Sequence, residues 1–431
     1  MFKRQNLFLA LLLAAVAVTL SAQPAPNPTR TLVRAGHLLD VKTGKLLDSQ
    51  TLVVVGDTIQ SIGPSAQLPA QPGDTVIDLG SLTVLPGLID VHTHLTMGTN
   101  FDPYHELQET DAKEAINGVV NARTTLLAGI TSVRNVAAGG YTDVDLRDAI
   151  NSGQIIGPHM QVSGPALGIT GGHCDDNLLP FKFHALGDGV ADGIAAVQHQ
   201  VRQNIKYGAD VIKICATGGV LSKGDDPQAA QYTLEEMRAI VADAHRLGRR
   251  VAAHAHGAQG ILWASMAGVD SVEHGSYIND EGIAELKKNG TYLVPTLYLE
   301  DWMVANGHLP PYSSKKQIAV SAVAKGNIKR AMEAGVKIAM GTDAAVYPHG
   351  LNAHELDVYV NQLGMAPLAA LQTATINAAD LMGWTTKTGT LEAGKWADMI
   401  AVEKNPLDDI RVLQNVKFVM KAGVVYKNDG K

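Results

Sequence analysis

A (β/α)8 barrel joined to a small β-sandwich built from both chain ends is the fold this sequence predicts, and three observations predict it. Eight short apolar strands recur between residues 86 and 384, their ends spaced 20 to 50 residues apart, which leaves room for a parallel crossover after each. Strand-like alternation fills residues 30–85 and returns over 385–431. Neither stretch alone supplies two packed sheets, so the two ends are expected to share one sandwich. His, Lys and Asp also stand where several of the eight strands end, the end of such a barrel that carries chemistry.

Taken in order, the chain opens with Lys3 and Arg4, an apolar run from Leu7 to Leu20, and small residues at Ser21-Ala22. This pattern predicts a secretory signal peptide over residues 1–22. A membrane anchor is the alternative, but the run falls short of the roughly 20 apolar residues a span needs. The mature protein is therefore expected to be exported, to the periplasm or beyond, with no membrane contact after cleavage. Strands follow at Thr51–Val55, Thr58–Ile62 and Thr75–Leu79, separated by Gly-Asp and Pro-Gly turns. At the other end Asp398–Val402 and Val416–Met420 are short strands, with a hairpin return over Lys421–Tyr426. Between them, barrel strands are expected to end near His94, Asn135, Ser163, Lys213, His254, His274, Thr296 and Asp343, with helices such as Thr233 to Leu247 and Pro367 to Met382.

Composition narrows the partners. The 431 residues carry 35 Lys+Arg against 42 Asp+Glu, a formal charge of −7, with the two signs interleaved and no long basic run. Nucleic acid and anionic lipid are thereby disfavoured and a small molecule is favoured. With 46% apolar side chains the chain can bury a large core, and only Cys174 and Cys215 are present, so its fold is not disulfide-dependent. The pair can bridge or stay as buried thiols; thiols are expected.

The chemistry begins at Pro86-Gly-Leu-Ile-Asp-Val-His92-Thr-His94. Two His two apart on a strand face the same way and can reach one ion. A lone His-x-His is a weak indication, but further strand ends carry Lys213, His254, His274 and Asp343. Nitrogen and oxygen donors of this kind suit Zn²⁺, with Mn²⁺, Co²⁺ or Fe²⁺ as substitutes. Lys213 has two readings: a barrel-interior lysine paired with an Asp, or an amine whose neutral form reacts with CO₂ to give a carbamate, since an ammonium beside cations cannot donate a lone pair.

On these residues, and on Gly389-Thr-Leu-Glu-Ala-Gly-Lys-Trp-Ala-Asp398, the chain from about 30 to 430 resembles the amidohydrolase superfamily. Within it the chain is most similar to the Xaa-Pro dipeptidase-like carboxypeptidases related to imidazolonepropionase, a branch that includes ochratoxin-hydrolysing enzymes. The resemblance implies two divalent cations: His92, His94 and Asp343 hold one, His254 and His274 the other, and carboxylated Lys213 bridges both. It implies attack by a hydroxide shared between the cations, with Asp343 taking its proton and passing it to the leaving amine. The implied substrate bears an amide and a carboxylate: a dipeptide, an N-acyl amino acid or an ochratoxin-like amide losing its C-terminal amino acid. His173, in Thr170-Gly-Gly-His, and Tyr232, in Gln231-Tyr-Thr, are implied to hold its carbonyl or carboxylate, although Cys174 departs from the Gly expected there. His256 faces the same way as His254, as a substrate contact, a partner behind the ligands or a buried structural His. His349 lies near the mouth, whereas His105, His159, His184, His199 and His245 have no partner pattern. Hydrolysis of lactones, cyclic amides or phosphotriesters uses the same ligands and is the alternative. Ring deamination is disfavoured, because deaminases of the superfamily typically carry Glu where this chain has Gly257. The family also implies a homo-oligomer, often an octamer.

Overall fold

The computed structural model describes residues 30–100, 102–307 and 309–429; the expected signal peptide over 1–22 lies outside them. The first five strands are β1 (Arg30–Asp40), β2 (Lys45–Val55), β3 (Thr58–Pro64), β4 (Thr75–Asp78) and β5 (Thr83–Pro86). Seven parallel strands follow: β6 (Leu88–Thr93), β7 (Ile130–Asn135), β8 (His159–Val162), β9 (Val211–Cys215), β10 (Arg250–Ala255), β11 (Ser271–His274) and β12 (Tyr292–Val294). The chain closes with β13 (Met399–Val402), β14 (Phe418–Lys421) and β15 (Val424–Asn428).

The terminal strands do not form the two separate sheets expected of a sandwich. They join one eight-stranded sheet in the order β15-β14-β13-β5-β1-β2-β3, with β4 also on β1. The reason is the length of β1: it pairs antiparallel with β2 along one edge and parallel with β4 and then β5 along the other. β5 carries the pairing across to β13, so Met399 faces Pro86 and the C-terminus is zipped to the N-terminal strands. Phe418 and Met420 from β14 then share a core with Val33, Leu52 and Ile59.

The middle of the chain has a TIM-barrel-like α/β architecture. Its strands are buried almost throughout, as parallel strands covered by helices are, and β6, β7 and β11 carry polar and charged side chains among the apolar ones. β6, β7 and β8 form one sheet and β9 to β12 another. Among the described residues no continuous ladder closes them into a barrel; the isolated parallel bridges Leu167↔Ile214, Leu293↔Ile338 and Thr93↔Ala344 run between them. The eighth strand expected to end near Asp343 is not a regular strand. Its amide groups instead meet individual partners, Met340 accepting from Val91 (2.9 Å) and Asp343 donating to the carbonyl of His92 (2.8 Å). Gly341 permits this approach.

Helix ends follow local chemistry. The helix Leu234–Arg246 starts with a capping box: Glu236 N donates to Thr233 Oγ1 (3.2 Å), and Thr233 N donates to Glu236 Oε2 (2.9 Å), satisfying two amides that the helix leaves over. The helix expected from Pro367 to Met382 breaks into Pro367–Thr373 and Ile376–Leu381. Its central carbonyls are used elsewhere, Thr373 O accepting from Met340 N and Ala374 O from Ile89 N. We expect Gly341→Ala to lower stability by about 1–3 kcal/mol in a denaturant titration, because a Cβ there meets Val294 Cγ1 at 2.3 Å and His92 Cβ at 2.7 Å. An unchanged midpoint would show that this close approach does not constrain the fold.

Candidate metal centre

The parallel strands bring their C-terminal ends to one mouth, and two groups of donors converge there. His92, His94 and Asp343 form one, His254, His256 and His274 the other, each with its ligand atoms within 4.8 Å of one another. In the first group Asp343 Oδ1 lies 2.9 Å from His94 Nε2 and 3.4 Å from His92 Nε2. Buried Asp90 aligns this group from below: its carboxylate accepts from Thr342 Oγ1 (2.5 Å), Asn352 Nδ2 (2.7 Å) and the amide of His92 (3.1 Å). It therefore ties the strand carrying His92 to the segment carrying Asp343.

The second ring nitrogen of four imidazoles is already engaged. His92 Nδ1 contacts Glu273 Oε2 (2.8 Å), His254 Nε2 the carbonyl of Gly218 (3.1 Å), His274 Nδ1 Thr296 Oγ1 (2.8 Å) and His256 Nδ1 Ser276 Oγ (2.8 Å). Metal-binding histidines need this arrangement, since a partner on one nitrogen fixes the tautomer and presents the other. Glu273 is in turn held by Arg134 Nη2 (2.8 Å) and Ser271 Oγ (2.5 Å).

Electrostatics favours ligation. Burial pushes His94, His254 and His274 below the usual histidine range and brings His256 to about 3, so neutral rings with free lone pairs line the mouth. Burial would raise the Glu273 carboxyl, but Arg134 and His92 outweigh it and hold it near 2. The same contest at Asp343 is won by His92 and His94, which keep it well below the usual carboxylate range. Lys213 lies on β9, 3% exposed, and burial lowers its amine to about 8. Its strongest electrostatic partners are Glu273 and Asp343, both already committed to other groups.

The remaining expected residues divide. His173 arrives at the mouth, its ring centroid 4.2 Å from that of His254. Its Nδ1 lies 2.8 Å from Ser222 Oγ, which donates to Asp225 Oδ1 (2.7 Å). Asp225 also takes Lys316 Nζ (2.6 Å) and the amide of Gly219 (3.0 Å). Because Ser222 donates to a carboxylate, it accepts from His173 Nδ1–H, which leaves Nε2 as an acceptor. Tyr232 is buried, and its hydroxyl donates to the carbonyl of Ala191 (3.1 Å), just ahead of the Ile194–Lys206 helix. His256 stands with the ligand group itself. The expected thiols are corrected, since Cys174 and Cys215 form a disulfide, Cα–Cα 6.1 Å; the bridge at Leu167↔Ile214 lays the start of the His173 loop along β9. His349 is buried beside His94, while His159 stacks on Trp396 and His245 pairs with Asp270. A Cβ at Gly257 would meet the carbonyl oxygen of Gln228 at 2.3 Å, so no deaminase-like Glu fits there.

Arg134, Glu273, Asp90, Thr296 and Ser276 were not among the candidates. The available indication was an acid and a base inside strands that are otherwise buried, Ser271-Val-Glu-His and Thr131-Ser-Val-Arg, since a fully buried charge implies a partner.

A cavity of about 600 Å³ is lined by segments that follow the strand ends, none of its lining residues belonging to either donor group. Thr99 and Asn100 from the loop after His94, Trp302 and Met303 from the helix after β12, and Val346 and Tyr347 just past Asp343 line it.

The sequence profile of the Amidohydrolase family matches residues 83–426. Ochratoxinase from Aspergillus niger is 37% identical over 429 residues, covering 93% of this chain and 87% of that protein. Among solved structures, a Xaa-Pro dipeptidase with methionine bound in its active site superposes with a TM-score of 0.88 at 38% identity, covering 93% of this chain and all of that one. The A. niger ochratoxinase structure gives 0.83 at 34%, covering 94% and 97%.

The Arg134–Glu273–His92 chain makes a measurable claim. Glu273→Gln should weaken metal binding about 10–100-fold and cost about 3–5 kcal/mol by leaving Arg134 buried without its counter-charge. Adding Arg134→Met should restore much of the stability and none of the metal affinity, read by denaturation and by chelator competition. Full metal affinity in the double variant would remove the orienting role of Glu273.

Proposed function

The chain belongs to the amidohydrolase family, and from that premise we propose that this metal-dependent amide hydrolase uses two divalent cations to release the C-terminal amino acid of dipeptides, N-acyl amino acids or ochratoxin-like amides. The observation that carries the proposal is the pair of adjacent donor groups, in which His92, His254, His256 and His274 are each fixed through one ring nitrogen. His92, His94 and Asp343 would hold one ion and His254 and His274 the other, with His256 within reach of the second. Zn²⁺ fits this nitrogen and oxygen set. Ions bound there acidify water and polarise a carbonyl. Lys213, with its amine lowered to about 8, has free base available to react with CO₂; the resulting carbamate would supply the carboxylate that both ions lack between them.

The chain's own groups do the rest. Asp343, facing His92 and His94 at the mouth, takes a proton from the attacking water and returns it to the departing amine. His173 Nε2, an acceptor, receives an N–H of the substrate instead of holding its carboxylate. The cavity beside Trp302, Met303 and Tyr347 takes the acyl group, and its aromatic and thioether walls suit a planar ring. Export through residues 1–22 accords with the disulfide, since such bonds persist in oxidising compartments.

Three experiments test this reading. In a panel of dipeptides, N-acyl amino acids, lactones and phosphotriesters scored by released amine or acid, we expect the amides with a free carboxylate and an aromatic acyl group to be preferred. Asp343→Asn should lower kcat by about 10²–10⁴ while elemental analysis still finds metal. A lactone or phosphotriester preference, or an active Asp343→Asn enzyme, would overturn the substrate class or the proton role respectively. Lys213→Ala should lose metal and activity together, and acetate or another short acid should restore both. Retention of two ions per chain without added acid would exclude the carbamate.

A further inference from the structure

We propose that the Cys174–Cys215 disulfide is a positioning element for the reaction, holding His173 over the second donor group. The inference rests on the functional reading above, and it concerns the two residues that depart furthest from expectation. Each end of the bond is adjacent to the chemistry. Cys174 directly follows His173, and Cys215 ends β9 two residues beyond Lys213, opposite His254 in the strand register. The bond therefore fixes the main chain of the substrate loop to the strand that carries a ligand and pairs with another.

The loop needs such an anchor. Between β8 and the helix Ile194–Lys206 the chain runs for about thirty residues with a single short 3-10 turn, Phe181–Phe183. Main-chain bonds lay the loop on β9 at Leu167, whose amide donates to Lys213 O (2.8 Å) and whose carbonyl accepts from Cys215 N (2.8 Å). Toward His173 the bonds run to other loops, the amide of Thr170 donating to Asp192 Oδ1 (3.1 Å), the amide of His173 to Gln231 Oε1 (3.0 Å), and His173 Nδ1 meeting Ser222 Oγ. These bonds set the orientation of the ring, and past Leu167 the disulfide is the covalent tie between its backbone and β9. Packing around the bond is close, for a Cβ at Gly168 would lie 2.7 Å from the Cβ of Cys174 and one at Gly187 2.8 Å from its carbonyl oxygen. Small residues thus make room for the cross-link on both sides. A displacement of about an ångström at a group that orients the substrate is enough to cost one to two orders of magnitude in kcat/KM.

The test is a double-mutant cycle between Cys174→Ser/Cys215→Ser and His173→Ala on the metal-loaded enzyme, with the amide preferred in the panel as probe. Loss of the disulfide alone should raise KM about 10-fold with kcat within about 2-fold, leave two metals per chain, and make activity insensitive to a phosphine reductant that raises the KM of the wild type. In the His173→Ala background, removing the disulfide should add nothing further. An equal penalty in both backgrounds, or a loss of metal or kcat with KM unchanged, would make the bond a staple of the fold only and overturn the proposal. Should the serine variant fold poorly, Cys174→Ala/Cys215→Val and reductant treatment of the folded wild type read the same quantity. If His173→Ala itself leaves KM unchanged, the substrate role assigned to His173 falls; if it raises KM while loss of the disulfide does not, only the positioning role falls.

Discussion

Desolvation at the barrel mouth is the constraint on which the centre depends. His94, His173, His254, His256 and His274 are all driven toward the neutral form, and burial is the largest cause for each. A neutral imidazole offers a cation its lone pair, whereas a protonated one repels it. Strands buried on both faces exclude water, and the exclusion of water makes the ligands competent. The same dryness acts on Lys213, where it brings the amine within reach of neutral pH. One cause, supplied by the core, thereby sets both the imidazole donors and the nucleophilic lysine that would complete the set.

Dryness is costly for carboxylates, and three buried acids meet that cost differently. Glu273 stays ionised because Arg134 neutralises it at 2.8 Å and Ser271 fills a further acceptor site. It belongs to a closed network and points at the outer nitrogen of His92. Asp90 has hydrogen-bond donors but no salt-bridge partner among the described residues, and burial raises its carboxyl to about 6; accepting from Thr342, Asn352 and the amide of His92, it fastens two segments. Asp343 is kept ionised by the imidazoles it would share with a metal. Of the three, it alone belongs to a donor group at the mouth, which makes it the carboxylate able to exchange a proton with a substrate.

Much of this was legible in the chain because the barrel's chemistry sits at strand ends, and strand ends are visible as apolar runs that stop. His92, His94, His254 and His274 were placed by that pattern, and seven of the expected strands appear within two residues of their predicted ends. The eighth could not be, since the segment before Asp343 pairs through single bonds and its apolar residues look like those of a true strand. Partners that act from behind the ligands were also invisible. Glu273 and Arg134 are 139 residues apart and meet only because β7 and β11 face the same interior; no local spacing encodes such a contact. The single terminal sheet escaped because alternation shows that strands exist and is silent on which edges they share.

Backbone strain marks the centre independently of its side chains. His274, Thr296 and Asp343 adopt left-handed φ angles of 67°, 53° and 59°, conformations that cost a non-glycine residue about 1–3 kcal/mol each. All three fall at the mouth, two as expected ligands and the third as the hydroxyl that holds His274. At His274 the amide of Gly275 returns to the carbonyl of Glu273 (2.9 Å), closing a tight turn around the ligand. An extended strand presents only every second side chain to the interior. That rule serves His92 with His94 and His254 with His256, but a solitary ligand must be turned in by its own backbone, and the turn is tolerated only where surrounding packing overdetermines it. Glu273, one residue earlier, is locked by Arg134, and Asp343 is pinned through Thr342 to Asp90. The buried ionic network and the strained turns are thus two parts of one device: the first fixes the ends of the strands so rigidly that the second can hold a ligand where an unstrained chain would not place it.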